Sequence, residues 1–248
     1  MATGARSRWY GTVDDVRAAD KTLRGFGLVL VIGVAMGLTV ACGNEVTGIP
    51  VATNADTRGH VDRPLGELLP TPAQFPAVYP AVVLPPQAAS AAAGDLDGVG
   101  TGASVEPVDC VPPGASETEP VAVAVGTNEA SRVSVTVELA RSPESVAHLR
   151  EWAARCAVMR VVRAGASSTV TTTLSETTLN GADDAVSLRR TVVPDVGGAG
   201  LAQTMQTTVG QVADVRITVT AMGFGASQPD AGAVDELFAV AVGNVAGS

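Results

Sequence analysis

The sequence predicts an α+β domain, an antiparallel sheet of about five to seven strands with helices packed on one face, preceded by a signal segment and a flexible tether. Three observations predict it. Short segments from Val121 onward alternate Val or Leu with Ala, Ser, Thr or Glu, the period-two pattern of half-buried strands. Two segments, around Trp152 and around Phe238, instead space their apolar residues at helical period. Tight-turn signals such as Asn180-Gly181 separate the strands, which favours antiparallel hairpins over long crossovers.

Composition narrows the function classes. Of 248 residues, 46% are hydrophobic but only 3% are aromatic, so an aromatic-lined cofactor pocket is not expected. Lys21 is the only lysine. The part after it therefore has no Schiff-base chemistry. Sixteen basic residues face 25 acidic ones. Residues 1 to 41 hold Arg6, Arg8, Arg17, Lys21 and Arg24 against Asp14, Asp15 and Asp20, which leaves 11 arginines and 22 acids, about −11, beyond Cys42. That charge argues against nucleic acid or an anionic membrane face as a partner.

Residues 1–41 read as a signal segment. The apolar run Gly25 to Ala41 is 17 residues long, short of the about 20 a spanning helix needs and long for a signal core of roughly 7 to 15. Its end decides the reading. Leu38-Thr39-Val40-Ala41-Cys42-Gly43 resembles a bacterial lipoprotein box, with Thr39 standing where that family prefers Leu and Leu38 one place earlier. The resemblance implies that the peptide is cut before Cys42 and that Cys42 carries the lipid, palmitate included. An uncleaved N-terminal anchor is the alternative. The arm before the run is long and holds three aspartates; a start at Val13 or Val16 leaves an ordinary basic arm ending in Lys21 and Arg24.

Residues 42–63 lack any apolar period and read as the lipidated cysteine and its tether. Residues 64–248 read as a single domain. Pro64 to Pro86 is broken by prolines, yet Leu65, Leu68, Leu69, Phe75 and Tyr79 suit a segment laid across a core. Gln87 to Leu96 is Ala-rich and predicts a short helix, followed by a Gly-rich loop to Gly102. Strands are expected at Val121 to Val125, at Val133 to Leu139 with Ser134, Thr136 and Glu138 on a wet face, at Ala157 to Arg163 and at Ser168 to Leu179. Ser142-Pro143-Glu144 opens a helix between the second and third of these, whose stripe is Val146, Leu149, Trp152, Ala153 and Cys156. After Asn180-Gly181 come strands at Ala185 to Val193 and, around Gly210, at Met205 to Val209 and Val215 to Ala221. A helix from Pro229 closes the chain on a stripe of Val234, Leu237, Phe238, Ala241 and Val245.

Three cysteines leave one over. Assigning Cys42 to lipid leaves Cys110 and Cys156 for one disulfide, as an oxidising envelope allows; two separate thiols are the alternative.

Residues with catalytic or ligating chemistry are sparse. His60 falls in the tether, and His148 lies on the polar helix face with Glu144, Glu151 and Arg155. Those acids have metal-ligand spacing, but Arg155 among them suits an ion-paired surface. Asp95-Leu96-Asp97-Gly98 opens like a calcium loop without the later ligands, so it reads as a turn. Asp183 and Asp184 read as solvated acids beside a turn. No nucleophile elbow, phosphate loop or Ser-x-x-Lys pair is present. No catalytic residue, metal or cofactor is expected.

Residues 75 to 245 resemble the mycobacterial envelope lipoproteins whose domain is similar to the extracellular sensor domain of a receptor serine/threonine kinase. The resemblance rests on Phe75-Pro76, Pro107 to Cys110, the helical Cys156, GADDAVSLRR after Asn180 and the helix around Glu236-Leu237-Phe238. It implies a non-enzymatic protein on the outer face of the cell membrane, anchored through Cys42, that binds a small ligand or an envelope protein. The alternatives are an accessory scaffold of a secretion or envelope-assembly complex and, more remotely, a hydrolase. A concave pocket points to the first, a broad exposed apolar patch to the second, and buried carboxylates in a cleft to the third.

Overall fold

Val, Thr and Ala alternate through the chain because they line strands, and a computed structural model places those strands in one sheet. It describes residues 59–113, 121–142 and 144–248. The signal segment, Cys42 and the tether as far as Arg58 lie outside the described residues. The strands are β1 (Ala81–Val83), β2 (Ser104–Glu106), β3 (Val121–Asn128), β4 (Val133–Arg141), β5 (Val158–Arg163), β6 (Ala166–Ser175), β7 (Asp184–Pro194), β8 (Gln203–Val212) and β9 (Val215–Phe224). Their order is β1-β3-β4-β9-β8-β7-β6-β5-β2, and every neighbouring pair is antiparallel.

The α+β class is as expected, while the sheet is wider. Seven strands are long. The two extra ones, β1 and β2, have three residues each at the sheet edges. Segments that short carry no period of two, which is why the alternation passes over them.

The helices differ too: they pack on both faces. Four α-helices occur among the described residues, α1 (Leu65–Leu68), α2 (Pro86–Ala93), α3 (Val146–Arg155) and α4 (Ala231–Ala246). On one face Val135, Val137 and Leu139 of β4 and Ile217, Val219 and Ala221 of β9 meet Leu237, Phe238 and Ala241 of α4 and Leu65 and Leu68 of α1. On the other, Val170, Leu188 and Val209 meet Trp152 and Ala153 of α3 and Cys156 at its C-terminal cap. Adjacent residues Ala185 and Val186 fall in different clusters, as the strand pleat requires.

Both helical stripes are buried as the sequence predicts. Their caps lie further along. Ser145, not Ser142, caps α3 by accepting from the His148 N–H at 3.2 Å, while the Ser142 N–H donates to Asp214 O. Asp230 caps α4 by accepting from the Ala233 N–H at 3.0 Å and also accepts from the Tyr79 hydroxyl at 2.9 Å. Burial and that carboxylate push the Tyr79 phenol up to about 12.

Gly210 is not at the turn between β8 and β9. It lies inside β8, where a Cβ would meet Phe238 Cζ at 2.6 Å, so its role is to let α4 approach the sheet. The turn falls at Ala213, with φ 51°, and Asp214. Asn180 (φ 50°) and Gly181 (φ 93°) are left-handed, as their turn signal predicts.

Cys110 and Cys156 form a disulfide closing a separation of 46 residues. It ties the loop after β2 to the C-terminal end of α3. Replacing both cysteines by Ser is expected to lower stability by about 4 kcal/mol, the loop-closure value for that length, measured by urea denaturation. Phe238→Ala is expected to cost about 3–5 kcal/mol in the same assay; a loss below about 1 kcal/mol would show that α4 does not seal its face of the sheet.

Candidate functional site

Two helices cover the α3 side of the sheet, and they do not meet. α2 packs over β3, and α3 packs over β6, β7 and β8. Between them the strands β4, β9, β8 and β7 form the floor of a cavity of about 600 Å³. The floor carries Glu138 of β4, Arg216 and Thr218 of β9, Thr207 and Val209 of β8, and Leu188 and Arg190 of β7. The roof comes from Ser90, Ala93 and Gly94 at the end of α2, the following loop with Leu96, Asp97 and Val99, residues 111–113 and Leu149 of α3. Apolar wall predominates, without an aromatic ring among the lining residues.

Six charged side chains line this cavity; Arg141 pairs with Asp214 and Glu144 stands beside His148, and the other four are Arg190, Asp97, Glu138 and Arg216. Arg190 is only 3% exposed, its guanidinium lies 6.0 Å from the Trp152 ring, and its Nε has no hydrogen-bond partner. Among the described residues it forms neither a hydrogen bond nor an ion pair; burial lowers its pKa and the charge of Asp97 opposes that. Burial likewise raises the Asp97 carboxyl, while the Val99 N–H, donating to Oδ1 at 2.9 Å, and Arg190 pull it back. Glu138 is enclosed by protein except toward the cavity, and among the described residues no group donates to its carboxyl. Burial first, then the charge of Asp97, push it from an ordinary 4.5 up to about 7 against the pull of Arg216. Arg216 donates to the Glu144 carbonyl at 2.6 Å. The charges thus run Arg190, Asp97, Glu138, Arg216, with the two acids adjacent in the electrostatics.

Glu138 was expected on a wet strand face and Asp97 in a plain turn; the structure brings both into the cavity. The reason is tertiary. The polar face of β4 lies under α2 and its following loop, and nothing local in VSVTVEL announces a cover on both faces. Arg216 is the single charge of its strand segment, and Arg190 follows Arg189 in the stretch GADDAVSLRR; neither spacing marks a cavity.

Most of the other residues singled out in the sequence have structural partners, whereas Glu151 and Arg155 have none among the described residues. Asp184 pairs with Arg150 at 2.9 Å, and Asp183 accepts from the Ala213 N–H at 2.9 Å. His148 stands 3.5 Å from Glu144. His60 Nδ1 lies 2.6 Å from Asp214 Oδ2, which Arg141 also reaches at 2.5 Å. Burial works against the charge of Asp214, but the Val61 N–H, Arg141 and His60 together hold its pKa below the usual carboxylate range. Asp95 lies 3.6 Å from Arg163. Among the described residues no group of three or more His, Cys, Asp or Glu side chains has the geometry to hold a metal ion.

The fold is an open antiparallel sheet with helices on both faces and a charged cavity on one. Solved structures resemble it in fold. The extracellular domain of PknH from Mycobacterium tuberculosis superposes with a TM-score of 0.50 at 13% identity, over 77% of this chain and 98% of that one. An uncharacterized protein of Mycobacterium smegmatis, the Rv0999 ortholog, gives a TM-score of 0.45 at 15% identity, over 74% of this chain and 97% of that one. No family model and no curated protein matches the chain. No helix among the described residues is long and apolar enough to cross a membrane.

An acid whose pKa is raised by folding costs stability wherever it is ionised. For Glu138 the cost is absent below its unfolded value near 4.5, grows through the interval and is full above about 7. Glu138→Gln is therefore expected to stabilise the protein by on the order of 3 kcal/mol at about pH 8 and hardly at all at about pH 4. Urea melts of both proteins at the two pH values check this. An equal gain at both, or none at the higher, contradicts the buried ionised carboxylate.

Proposed function

We propose that this chain is a lipid-anchored, extracytoplasmic and non-enzymatic binding protein whose cavity takes a small ligand, as a sensor domain does. The observation that carries the reading is the cavity itself. About 600 Å³ lies within the range of small-molecule sites, and its floor holds Arg190 and Glu138, neither of which forms a hydrogen bond or an ion pair among the described residues. Buried charges normally find partners within the protein, so a site that leaves two without them is suited to a ligand that supplies them. The fold shared with a receptor kinase's extracellular domain supports the reading at the level of architecture.

Anchoring rests on the sequence, through Cys42 and the run before it. Cys42→Ser is expected to abolish incorporation of a palmitate analogue and to move the protein from the membrane to the soluble fraction; labelling that survives the substitution would overturn acylation at this residue.

The scaffold reading draws less support, because the exposed apolar residues are spread over several places: Val78, Val82 and Val83 at the β1 edge, Val108, Val111 and Val158 at the β2–β5 edge, Leu174 and Leu179 around the end of β6, and Val193, Val196, Leu201 and Phe224 at the β7–β8 connection and the end of β9. The hydrolase reading has one observation in its favour, the paired acids Asp97 and Glu138 in a cleft, with Glu138 poised near neutrality. Turnover of broad hydrolase substrates that disappears in Glu138→Gln would favour it over binding.

Ligand occupancy is tested by incubating the purified protein with a cell-envelope metabolite extract and recording native mass spectra. A bound mass is expected with the parent protein and not with Thr218→Trp, which fills the floor. A mass retained equally by both places the ligand elsewhere.

A further inference from the structure

The cavity holds two charges of opposite sign that form no hydrogen bond or ion pair among the described residues, the buried Arg190 on β7 and the half-buried Glu138 on β4. Resting on the ligand-binding reading above, we propose that its ligand is an extended zwitterion, a short aliphatic peptide whose carboxylate is held by Arg190 and whose ammonium is held by Glu138.

Each part of that description follows from a feature of the site. Arg190 has donors only, so what meets it must accept, and a carboxylate matches the guanidinium fork. Glu138 as a carboxylate only accepts, so what meets it must donate, and a cation also reverses the repulsion it feels from Asp97. A ligand with one charge would desolvate the other without compensating it.

The register sets the ligand's length. Glu138 pairs with Thr218, Thr218 with Val209 and Val209 with Val186, four residues before Arg190. The two residues are thus three strands apart, roughly 14 Å across the sheet, and offset by roughly 13 Å along it. The ammonium and carboxylate of a free amino acid, joined through one carbon, cannot reach both. The diagonal between the two backbone positions is roughly 19 Å; the Arg190 and Glu138 side chains reach across part of it, and a chain of about three residues, at roughly 3.5 Å each, covers the remaining stretch of about 10 Å. The walls between the charges are aliphatic, with Leu188, Val209, Leu96 and Val99. They suit apolar side chains and offer no aromatic platform for a sugar ring.

The test uses the purified full-length protein and isothermal titration with the tripeptide Ala-Val-Leu, its C-terminal amide, its N-acetyl form and the doubly blocked form. The free peptide is expected to bind, and blocking either end is expected to weaken it at least about tenfold, the loss of one charge-assisted contact. The variants should cross. In Arg190→Met amidation no longer matters while acetylation still does, and in Glu138→Gln the reverse holds. A misfolded variant loses every peptide alike and cannot produce that crossed pattern. Equal binding of blocked and free peptides overturns the proposal, as does tight binding of inorganic phosphate or acetate at Arg190 with no gain from an amine. If no peptide binds while an extract ligand occupies the cavity in a Thr218-dependent way, the zwitterion is wrong and the binding reading stands. If neither binds, both fall.

Discussion

A wide sheet has to be covered on both faces by few helices, and the rest of the molecule depends on how that is done. Nine strands span roughly 40 Å at about 4.8 Å per strand, whereas one helix covers about 10 Å. On the α4 face the 16-residue helix and the segment from Leu65 to Tyr79 suffice, because Gly210 lets Phe238 sit directly on the strands. On the opposite face α2 and α3 cover separate regions. The gap between them is roofed by loop, and a loop brings backbone dipoles and side chains such as Asp97 where a helix would bring an apolar stripe. The cavity and its charge follow from that shortage of helix.

The disulfide makes the arrangement durable. Cys156 ends α3, and Cys110 belongs to the short turn Val108–Cys110 after β2, so the bond holds the 111–113 part of the roof against the helix that packs on the floor. Trp152, one turn before Cys156, packs in the same cluster and backs Arg190. The guanidinium is therefore fixed in position by covalent and packing constraints rather than by hydrogen bonds. Preorganised charge of this kind raises affinity by removing the cost of ordering it at the moment of binding. A charge held in this way also costs the fold stability.

What could be read in the sequence is what local spacing determines. The stripes of α3 and α4, the left-handed pair Asn180-Gly181, the long strands and the cysteine pair all depend on residues near one another in the chain or on arithmetic. What could not be read depends on layers. Glu138 alternates with Val137 and Leu139 as any solvent-facing residue would, and only the position of α2 and its loop reveals that its face is covered. Gly210 sits among residues that suit a turn, and only the closeness of Phe238 shows that it is a notch in a strand. The candidate site was illegible for the same reason: its four charges come from three strands and a loop brought together solely by strand order.

Strand order also sets when the domain is able to form. β4 is made early in the chain, yet it lies between β3 and β9, and β9 with α4 comes last. Asp230, at the start of α4, holds both that helix and Tyr79 near the beginning. β3 and β4 therefore wait with an open strand edge and an uncovered apolar face until β9 and α4 are available. Such distant pairing slows folding and exposes the incomplete chain to aggregation. The interval between the making of β4 and that of α4 is when the chain most needs protection from aggregation.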